Sequence, residues 1–358
     1  EASLMRACLK IVPLRRLVSA ACLITALLHG AATAATTADT PACSAVPVTS
    51  SSGFSRVETP VAWNYRATEP STKGCKGGKT YEVGPGKTYE NPRNVPWLDL
   101  QPCDQVLIHW RPEPYRDILY IGVRGEPDRF ISIKGVPGPR GERPVFDGNG
   151  AVAPTDVGAP RVFDAAGMIV IAKPESSSRT YRYKPGYLLI QGLKIQNVRA
   201  PSMVTGLNGK RAPWNDFVAG ILINPAEHVA LIDNEIADNS LGLFTNSLDD
   251  EPGQTRDILI RGNYFHGNGE GGGKAGQHNA YTENIGTIYE YNYFGPPLKG
   301  SSADNIKDRS AGIVFRYNYV EQGVDLLALR DPQSNRLFEA AAKDCLGERL
   351  SSSAFVYG

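Results

Sequence analysis

The second half of the chain repeats one short pattern. A run of branched or aromatic residues leads into an asparagine, and an apolar or aromatic residue follows within two positions. The asparagines of the four copies lie 29, 29 and 26 residues apart, at Asn234, Asn263, Asn292 and Asn318. Self-similarity at a period of about 20–50 residues is the signature of stacked supersecondary units. Because β-branched and aromatic residues favour strands, and Asn and Gly favour turns, each unit is predicted to be a coil of strands.

Two other repeat architectures have comparable periods, and the residues disfavour both. A leucine-rich repeat needs leucines at fixed spacing around its asparagine, but these positions hold Ile, Val, Tyr and Phe, and no copy contains a helical half. A propeller blade needs about four antiparallel strands joined by tight hairpins, and Asn-Gly or Asp-Gly turns are sparse here. The sequence therefore predicts an all-β fold, a parallel β-solenoid.

The N-terminus has the features of an export signal. The first methionine, Met5, is followed by Arg and Lys residues, an apolar run over residues 17–28 and a small-x-small site at residues 32–34. This combination is typical of a secretory signal peptide, and the apolar run is too short to span a membrane. Residues 1–34 are predicted to be removed near Ala34, which makes the mature protein secreted or periplasmic and without a membrane span.

Composition divides the remaining chain. Residues 35–74 are rich in Ser, Thr, Pro and Ala without periodicity, which predicts a flexible leader. Residues 75–358 are predicted to form one β-helix domain, because a solenoid can use that length without splitting. Residues 354–358 have the pattern of a new strand with no cap after it, so the domain is expected to be truncated at its C-terminus.

Four cysteines remain after the predicted cleavage, and an even number in an oxidising compartment suggests disulfides. Three connectivities are open to them. The pair Cys75–Cys103 is preferred because these two residues bracket one short segment. The four are Cys43, Cys75, Cys103 and Cys345.

The N-terminal part of the domain is predicted to contain a cap, early strands and one long loop. Residues 96–100 are predicted to form a short helical cap that carries Trp97, and residues 106–110 the first strand after it. A terminal repeat must cover an otherwise open apolar end, which a tryptophan can do. Residues 199–216 are polar and lack a strand pattern, so they are predicted to form a loop beside a binding groove.

Charge and acidic residues limit the partners. The formal net charge of +1 gives no global field to recruit nucleic acid or anionic lipid, and a monomer without a cofactor is expected. Asp249, Asp250 and Glu251 could supply oxygen ligands for Ca²⁺, although an acidic loop is more often simply solvated. No cysteine pair has the spacing of zinc ligands.

Several segments together resemble secreted right-handed parallel β-helix proteins of the pectate-lyase-like superfamily. They are the segments 81–86, 95–106, 138–144 and 147–150, with the asparagine-anchored coils. The resemblance implies a right-handed parallel β-helix with a short N-terminal cap. Members include polysaccharide lyases, glycoside hydrolases, epimerases and adhesive or structural proteins, so the fold does not choose among these functions.

One pair of coils carries a cluster of reactive side chains. Sliding Asn292 onto Asn318 offsets the chain by 26 residues, which places Tyr281 beside Lys307 and Glu283 beside Arg309. If the intervening residues point into the core, strand alternation sends these four side chains to the outer face. An exposed patch carrying a phenol, a carboxylate and two cations is predicted there, with His278 nearby.

This patch suits the cleavage of an acidic polysaccharide by β-elimination. Such a reaction needs a cation to neutralise the uronate carboxylate and a base to remove the C5 proton, and the resemblance implies basic residues on such a strand face. Arg309 is predicted to bind the carboxylate and Lys307 to act as the base, with His278 as a second candidate base and Tyr281 as the proton donor. Substrate contacts are predicted for Glu283, Asn279 and Asn305.

Other functions stay open at this point. A glycoside hydrolase would need two carboxyls across a groove, and Asp304, Asp308 and Glu283 are the available residues. The patch could also be only a solvated cross-strand ladder worth a few tenths of a kcal/mol. In that case the chain would be a glycan-binding or structural protein of the cell envelope. The repeated asparagines themselves are predicted to stack as amide ladders.

Overall fold

The computed structural model describes residues 67–154, 164–174, 183–272 and 276–330, and the backbone of one further strand. These residues form β-strands joined by turns, with two short 3-10 turns at Pro92–Asn94 and Glu251–Gly253 and no α-helix among them. No helix in this part of the chain is long and apolar enough to cross a membrane. The strands are β1 Thr80–Val83, β2 Gln105–His109, β3 Leu119–Ile121, β4 Ile131–Val136, β5 Val145–Asp147, β6 Ala151–Val152, β7 Gly167–Ile171, β8 Gly186–Gln191, β9 Lys194–Gln196, β10 Met203–Thr205, β11 Arg211–Pro213, β12 Ala219–Ile223, β13 Glu227–Ile232, β14 Glu235–Ala237, β15 Leu241–Thr245, β16 Arg256–Arg261, β17 Tyr264–His266, β18 Ala280–Thr282, β19 Ile285–Glu290, β20 Tyr293–Phe294, β21 Ile306–Asp308, β22 Ala311–Arg316, β23 Tyr319–Val320, β24 Leu327–Leu329 and β25 Ala354–Tyr357.

Most successive strands of the chain belong to different sheets and pair in parallel with their counterparts in the next coil; the exceptions are β1 and β2, which share one sheet, and the antiparallel hairpin of β10 and β11. Within the described residues the nine-stranded sheet has the order β1-β2-β4-β8-β13-β16-β19-β22-β25. The seven-stranded sheet has the order β24-β21-β18-β15-β12-β7-β3, and the six-stranded sheet β23-β20-β17-β14-β9-β5. This arrangement is a parallel β-helix, and the predicted fold class is confirmed.

Aligned columns of apolar side chains fill the interior. In the six-stranded sheet one inward column contains only large apolar residues, and each is 0% exposed: Phe146, Ile195, Ile236, Phe265 and Phe294. The rings of the last two stack with centroids 4.8 Å apart. Burying a side chain of this size stabilises the fold by about 1.5–3 kcal/mol. Identical register in every coil therefore follows from the repeated apolar positions.

Two ladders of asparagine side chains hold the turns of successive coils together. The first comprises Asn234, Asn263, Asn292 and Asn318, whose amides are linked at 3.0, 3.1 and 2.8 Å. The side-chain oxygens of Asn263, Asn292 and Asn318 also accept a hydrogen bond from the backbone N–H of the preceding member, and that of Asn234 accepts one from Leu193. These buried amides thus satisfy turn backbone groups that a parallel sheet leaves unpaired. The predicted structural role of the repeated asparagines is confirmed.

At the N-terminal end of the stack, the segment between β1 and β2 supplies the cap. Trp97 and Leu100 are 2% and 3% exposed and belong to the main core. The predicted helix over residues 96–100 is wrong, since this segment forms turns after the 3-10 turn, and Trp97 donates its indole N–H to the carbonyl of Pro92 at 2.8 Å. The predicted Cys75–Cys103 disulfide is present, with Cα atoms 5.7 Å apart.

Two segments predicted to lack structure are ordered. Residues 67–74, the described part of the predicted leader, run along the outer face of the nine-stranded sheet. Glu69 binds Arg261 there, and the backbone N–H of Thr68 donates to the Asp257 carboxylate at 3.1 Å. In the predicted loop over residues 199–216, β10 and β11 pair as an antiparallel hairpin, and β10 also pairs with β6. The predicted signal peptide lies outside the described residues.

Candidate functional site

The register predicted for the candidate site is observed. β18 pairs with β21 so that Tyr281 lies beside Lys307, an offset of 26 residues. Both side chains continue an outward column of the seven-stranded sheet. In coil order, the column consists of Tyr120, Val170, Leu222, Phe244, Tyr281, Lys307 and Ala328. Lys307 is therefore a cation in a column of otherwise aromatic and aliphatic side chains.

The predicted exposure of this patch is wrong. Tyr281 is 9% exposed, Glu283 1% and His278 2%, while Lys307 and Arg309 are half-buried. Strand alternation fixes which face a side chain leaves from, but it does not say what covers that face. The Tyr281 ring packs against Phe244 of the preceding coil, with centroids 5.3 Å apart. The cluster is therefore a largely buried polar site rather than a solvated ladder.

His278 is held as a neutral imidazole. Its Nδ1 lies 3.0 Å from the backbone oxygen of Asp304, so Nδ1 carries the proton and donates it to that carbonyl. Burial lowers the pKa of His278 to about 4, and the charge of Lys307 lowers it further in the same direction. Nε2 is buried and has no hydrogen-bond partner among the described residues. This lone pair is available to accept a proton.

The Lys307 ammonium lies over the ring of Tyr281, 4.8 Å from its centroid. A cation–π contact of this kind favours the charged amine. The imidazole of His278 meets the same ring edge-on, with centroids 5.7 Å apart. Arg309 leaves the same face two residues after Lys307, and its backbone N–H donates to the carbonyl of Thr282 at 2.8 Å. One tyrosine thus lies between a neutral base and a cation.

Asn279 and Asn305 do not fit the predicted substrate contacts. They continue the second asparagine ladder, whose amides are linked at 3.0, 2.7 and 2.8 Å along Asn239, Asn268, Asn279 and Asn305. Both predicted residues are 0% exposed, and both donate to the carbonyl of Gly295 at 3.0 Å. Their amide groups are already used inside the fold, and a substrate cannot contact them there.

The backbone around Glu283 is also anchored inside the fold. Its N–H donates to the hydroxyl of Thr245 at 3.2 Å, and its carbonyl accepts the hydroxyl proton of Ser247 at 2.7 Å. With the whole residue 1% exposed, a direct substrate contact would require the covering groups to move.

Asp308 points into the core and cannot face a groove. It is 2% exposed and accepts hydrogen bonds from the hydroxyls of Thr282 and Ser310, at 2.5 and 3.0 Å. Burial raises its pKa to about 6. Any hydrolase mechanism that pairs it with Glu283 across a groove is therefore ruled out by geometry. Sequence reasoning missed this internal polar cluster, although polar residues at inward positions of β18 and β21 signal it.

The acidic loop at residues 249–251 is engaged by protein groups. Asp250 accepts the backbone N–H of Gly253 at 3.0 Å, and Glu251 lies 3.2 Å from the Lys184 ammonium. Among the described residues no group of three His, Cys, Asp or Glu side chains has the arrangement of a metal site.

Comparisons with known proteins add fold similarity only. No protein-family model matches the sequence, and no curated protein matches it. A crystal structure of GH136 lacto-N-biosidase from Eubacterium ramulus is similar over 70% of this chain and 53% of its own, at 14% identity and a TM-score of 0.41. The selenomethionine form of that enzyme matches 70% of this chain and 57% of its own, at 12% identity and a TM-score of 0.38. The chain therefore spans little more than half the length of these structures, and the likeness does not bear on its activity.

Proposed function

We propose that the chain is a secreted polysaccharide-active protein, and that it cleaves an acidic, uronate-containing polysaccharide by β-elimination at the His278–Tyr281–Lys307 cluster. The observation that carries this proposal is a neutral imidazole, with an unpartnered Nε2, beside a half-buried ammonium. The Cys75–Cys103 disulfide fits an oxidising compartment.

The elimination step assigns one task to each group. Lys307 and Arg309 bind the uronate carboxylate, and the withdrawal of charge acidifies the C5 proton. The base takes that proton, the electron pair forms the C4–C5 double bond, and the C4–O bond breaks. The leaving glycosidic oxygen takes a proton from Tyr281. No water is consumed, and the products are an unsaturated uronate and a new chain end.

His278, unlike Lys307, is already in its unprotonated form in this arrangement. The ring of Tyr281 stabilises the protonated amine of Lys307, whereas an amine must be neutral to accept a proton. The imidazole is already neutral above about pH 4. Since His278 is only 2% exposed, the substrate reaches Nε2 after the neighbouring side chains move aside.

The test is an assay for the ultraviolet absorbance of the unsaturated product, with pectate, alginate and glycosaminoglycans as substrates. His278→Ala is expected to reduce kcat by ~10²-fold or more, the scale of losing a general base. Tyr281→Phe keeps the ring but removes the proton donor, and Arg309→Lys keeps the charge but removes the two-pronged contact with a carboxylate. Both are expected to impair turnover. His109→Ala, in the second strand of the nine-stranded sheet and away from this cluster, is the control.

The pH profile gives a separate readout that a structural role would not change. Because the base acts when unprotonated, kcat/KM should fall as the pH drops through about 4 rather than near the usual histidine value. Wild-type rates in folded His278→Ala and Tyr281→Phe proteins would show that this cluster does not perform the chemistry. Absence of product from all three substrate classes would count against the lyase activity itself.

A further inference from the structure

Five tyrosines form an exposed patch on the six-stranded sheet and the turn that leads into it. Their exposed fractions are far above those of the core aromatics, at 36%, 61%, 38%, 49% and 63% for Tyr264, Tyr291, Tyr293, Tyr317 and Tyr319. The sequence carries the patch as a Tyr-Asn-Tyr triplet at 291–293 and again at 317–319. The asparagine of each triplet joins the buried ladder, so its two neighbours face outward.

The rings of this tyrosine patch follow the axis of the coils. Tyr264 and Tyr293 are in register and stack with centroids 4.9 Å apart, and Tyr293 meets Tyr319 at 5.4 Å. Tyr291 and Tyr317 stack in a parallel row at 5.1 Å. Each ring is thus one coil from the next, and coils of a β-solenoid repeat at about 4.8 Å. This step is close to the length of one pyranose residue in an extended glycan.

Two of the five tyrosines occupy a backbone conformation that bulky residues avoid. Tyr291 and Tyr317 both have φ of 56°, in the left-handed region. The equivalent positions of the two preceding coils hold Asp233 and Gly262, which tolerate such angles better. A bulky side chain held there strains the backbone. Glycine would adopt this backbone conformation without strain at both positions. The presence of tyrosine there instead indicates a role at the surface.

The size and chemistry of the tyrosine patch favour a glycan over a protein partner. Its five rings together expose roughly 500 Å² when each aromatic side chain contributes up to about 200 Å². A stable protein interface needs about 800 Å² from each partner. Among the described residues, the exposed members of the patch are all tyrosines, and because their rings stack on one another, phenol hydroxyls and ring edges face outward, which suits the hydroxyls of sugars.

Polar groups border the same rings. The Tyr293 hydroxyl donates to Glu321 at 2.6 Å, and His266 stacks on Tyr264 at 4.2 Å while it contacts Glu235 at 3.2 Å. A surface of phenol hydroxyls and ring edges bordered by hydrogen-bonding groups suits a ligand that is rich in hydroxyls.

We propose that the tyrosine patch is a polysaccharide-binding surface, separate from the β18–β21 cluster, on which a glycan chain lies along the axis of the coils. The choice of a polysaccharide as the ligand rests on the proposed function, while the site itself rests on the exposed and strained tyrosines. The patch holds long substrates on the protein and takes no part in bond cleavage.

The test is a double variant, Tyr291→Gly with Tyr317→Gly, which removes two rings and relieves their backbone angles. Affinity electrophoresis in gels containing polygalacturonate or alginate measures binding, in a His278→Ala background so that cleavage does not interfere. The double variant is expected to weaken the retardation ~10-fold or more and to unfold at a denaturant concentration no lower than its parent. Leu248→Ala, an exposed apolar residue outside the patch, is the control.

Activity distinguishes this proposal from the proposed function. With His278 intact, the double variant should keep its kcat/KM on short oligouronides and lose it on long chains. Binding unchanged within twofold would overturn the tyrosine patch as a glycan surface, whatever the lyase assay shows. A wild-type dimer in sedimentation velocity that becomes monomeric in the double variant would also overturn it, in favour of self-association. Loss of retardation without any detectable lyase product would support the patch and count against the lyase.

Discussion

Replacement of Asp308 by asparagine should stabilise the protein at neutral pH and not at acidic pH. The Asp308 carboxylate lies inside the coil, where Thr282 and Ser310 donate their hydroxyls to it. The backbone N–H of Ser310 adds a third hydrogen bond at 2.8 Å. Behind these groups, Tyr289 bonds Thr282 at 2.8 Å. All donors converge on the carboxylate, yet burial raises its pKa to about 6 from an ordinary value of 3.8.

The magnitude follows from that pKa. A rise of about two units corresponds to ~3 kcal/mol at ~1.4 kcal/mol per unit. Because the folded state binds this proton more tightly than the unfolded state, the stabilising contribution is fully present below about pH 4. It is lost as the pH rises through about 6. Asp308→Asn carries no charge at any pH and avoids the loss. The asparagine NH2 group must donate to the hydroxyls of Thr282 and Ser310, so the direction of both hydrogen bonds is reversed. This reversal costs about 1 kcal/mol at acidic pH.

Urea unfolding of wild type and Asp308→Asn at a series of pH values between 4 and 8 measures the effect. The free energy of unfolding of the variant, relative to wild type, should rise by ~2–3 kcal/mol across that range, with most of the rise between about pH 4 and 6 and its midpoint near pH 5. Asp99→Asn, an exposed aspartate, is the control and should show no such rise. A pH-independent difference, or a variant that loses stability as the pH rises, would refute the reasoning.

Two further predictions concern the elements that hold the coils together. Asn263→Ala removes a ladder member that accepts from the backbone of Asn234 and donates to Leu231, and should lower the free energy of unfolding by about 3 kcal/mol or more. Exposed Asn94→Ala is its control in the same denaturation assay, and equal effects would contradict the ladder's role. The double replacement of Cys75 and Cys103 by serine opens a 28-residue loop and should cost about 3–4 kcal/mol. Wild type under reducing conditions should unfold at the same midpoint as this variant, and a wild type insensitive to reductant would contradict the prediction.

Much of the fold was predictable because a β-helix repeats its rules in every coil. The spacing of Asn263, Asn292 and Asn318 gave both the coil length and the residue that joins the turns. The register of β18 on β21 followed from the same spacing, and with it the pairing of Tyr281 with Lys307. Inward and outward faces followed from alternation, as the two sequence neighbours of Tyr281, Ala280 and Thr282, are 0% exposed and lie inside.

What covers an outward face was not predictable from these rules. His278 and Glu283 flank β18 and were expected in or beside an exposed patch, yet they are 2% and 1% exposed. Asn279 was predicted to contact the substrate because the second asparagine ladder was not recognised in the sequence. Its members are not spaced along the chain like those of the first ladder. The strand pairing of residues 203–213 also depends on a distant strand, β6, which supports the hairpin.

The two faces of β18 and β21 depart from the β-helix pattern together. The inward position that is isoleucine in earlier coils becomes Thr245, then Thr282 and Asp308, and in the outward column Lys307 follows Phe244 and Tyr281. A buried carboxylate whose pKa is raised costs stability at neutral pH, and so does an imidazole nitrogen without a partner. Local departures of this kind concentrate at functional sites, because selection for folding alone removes them. The polar interior therefore supports the placement of the reactive cluster on these two strands, where the hydroxyl network holds the backbone that carries Tyr281 and Lys307.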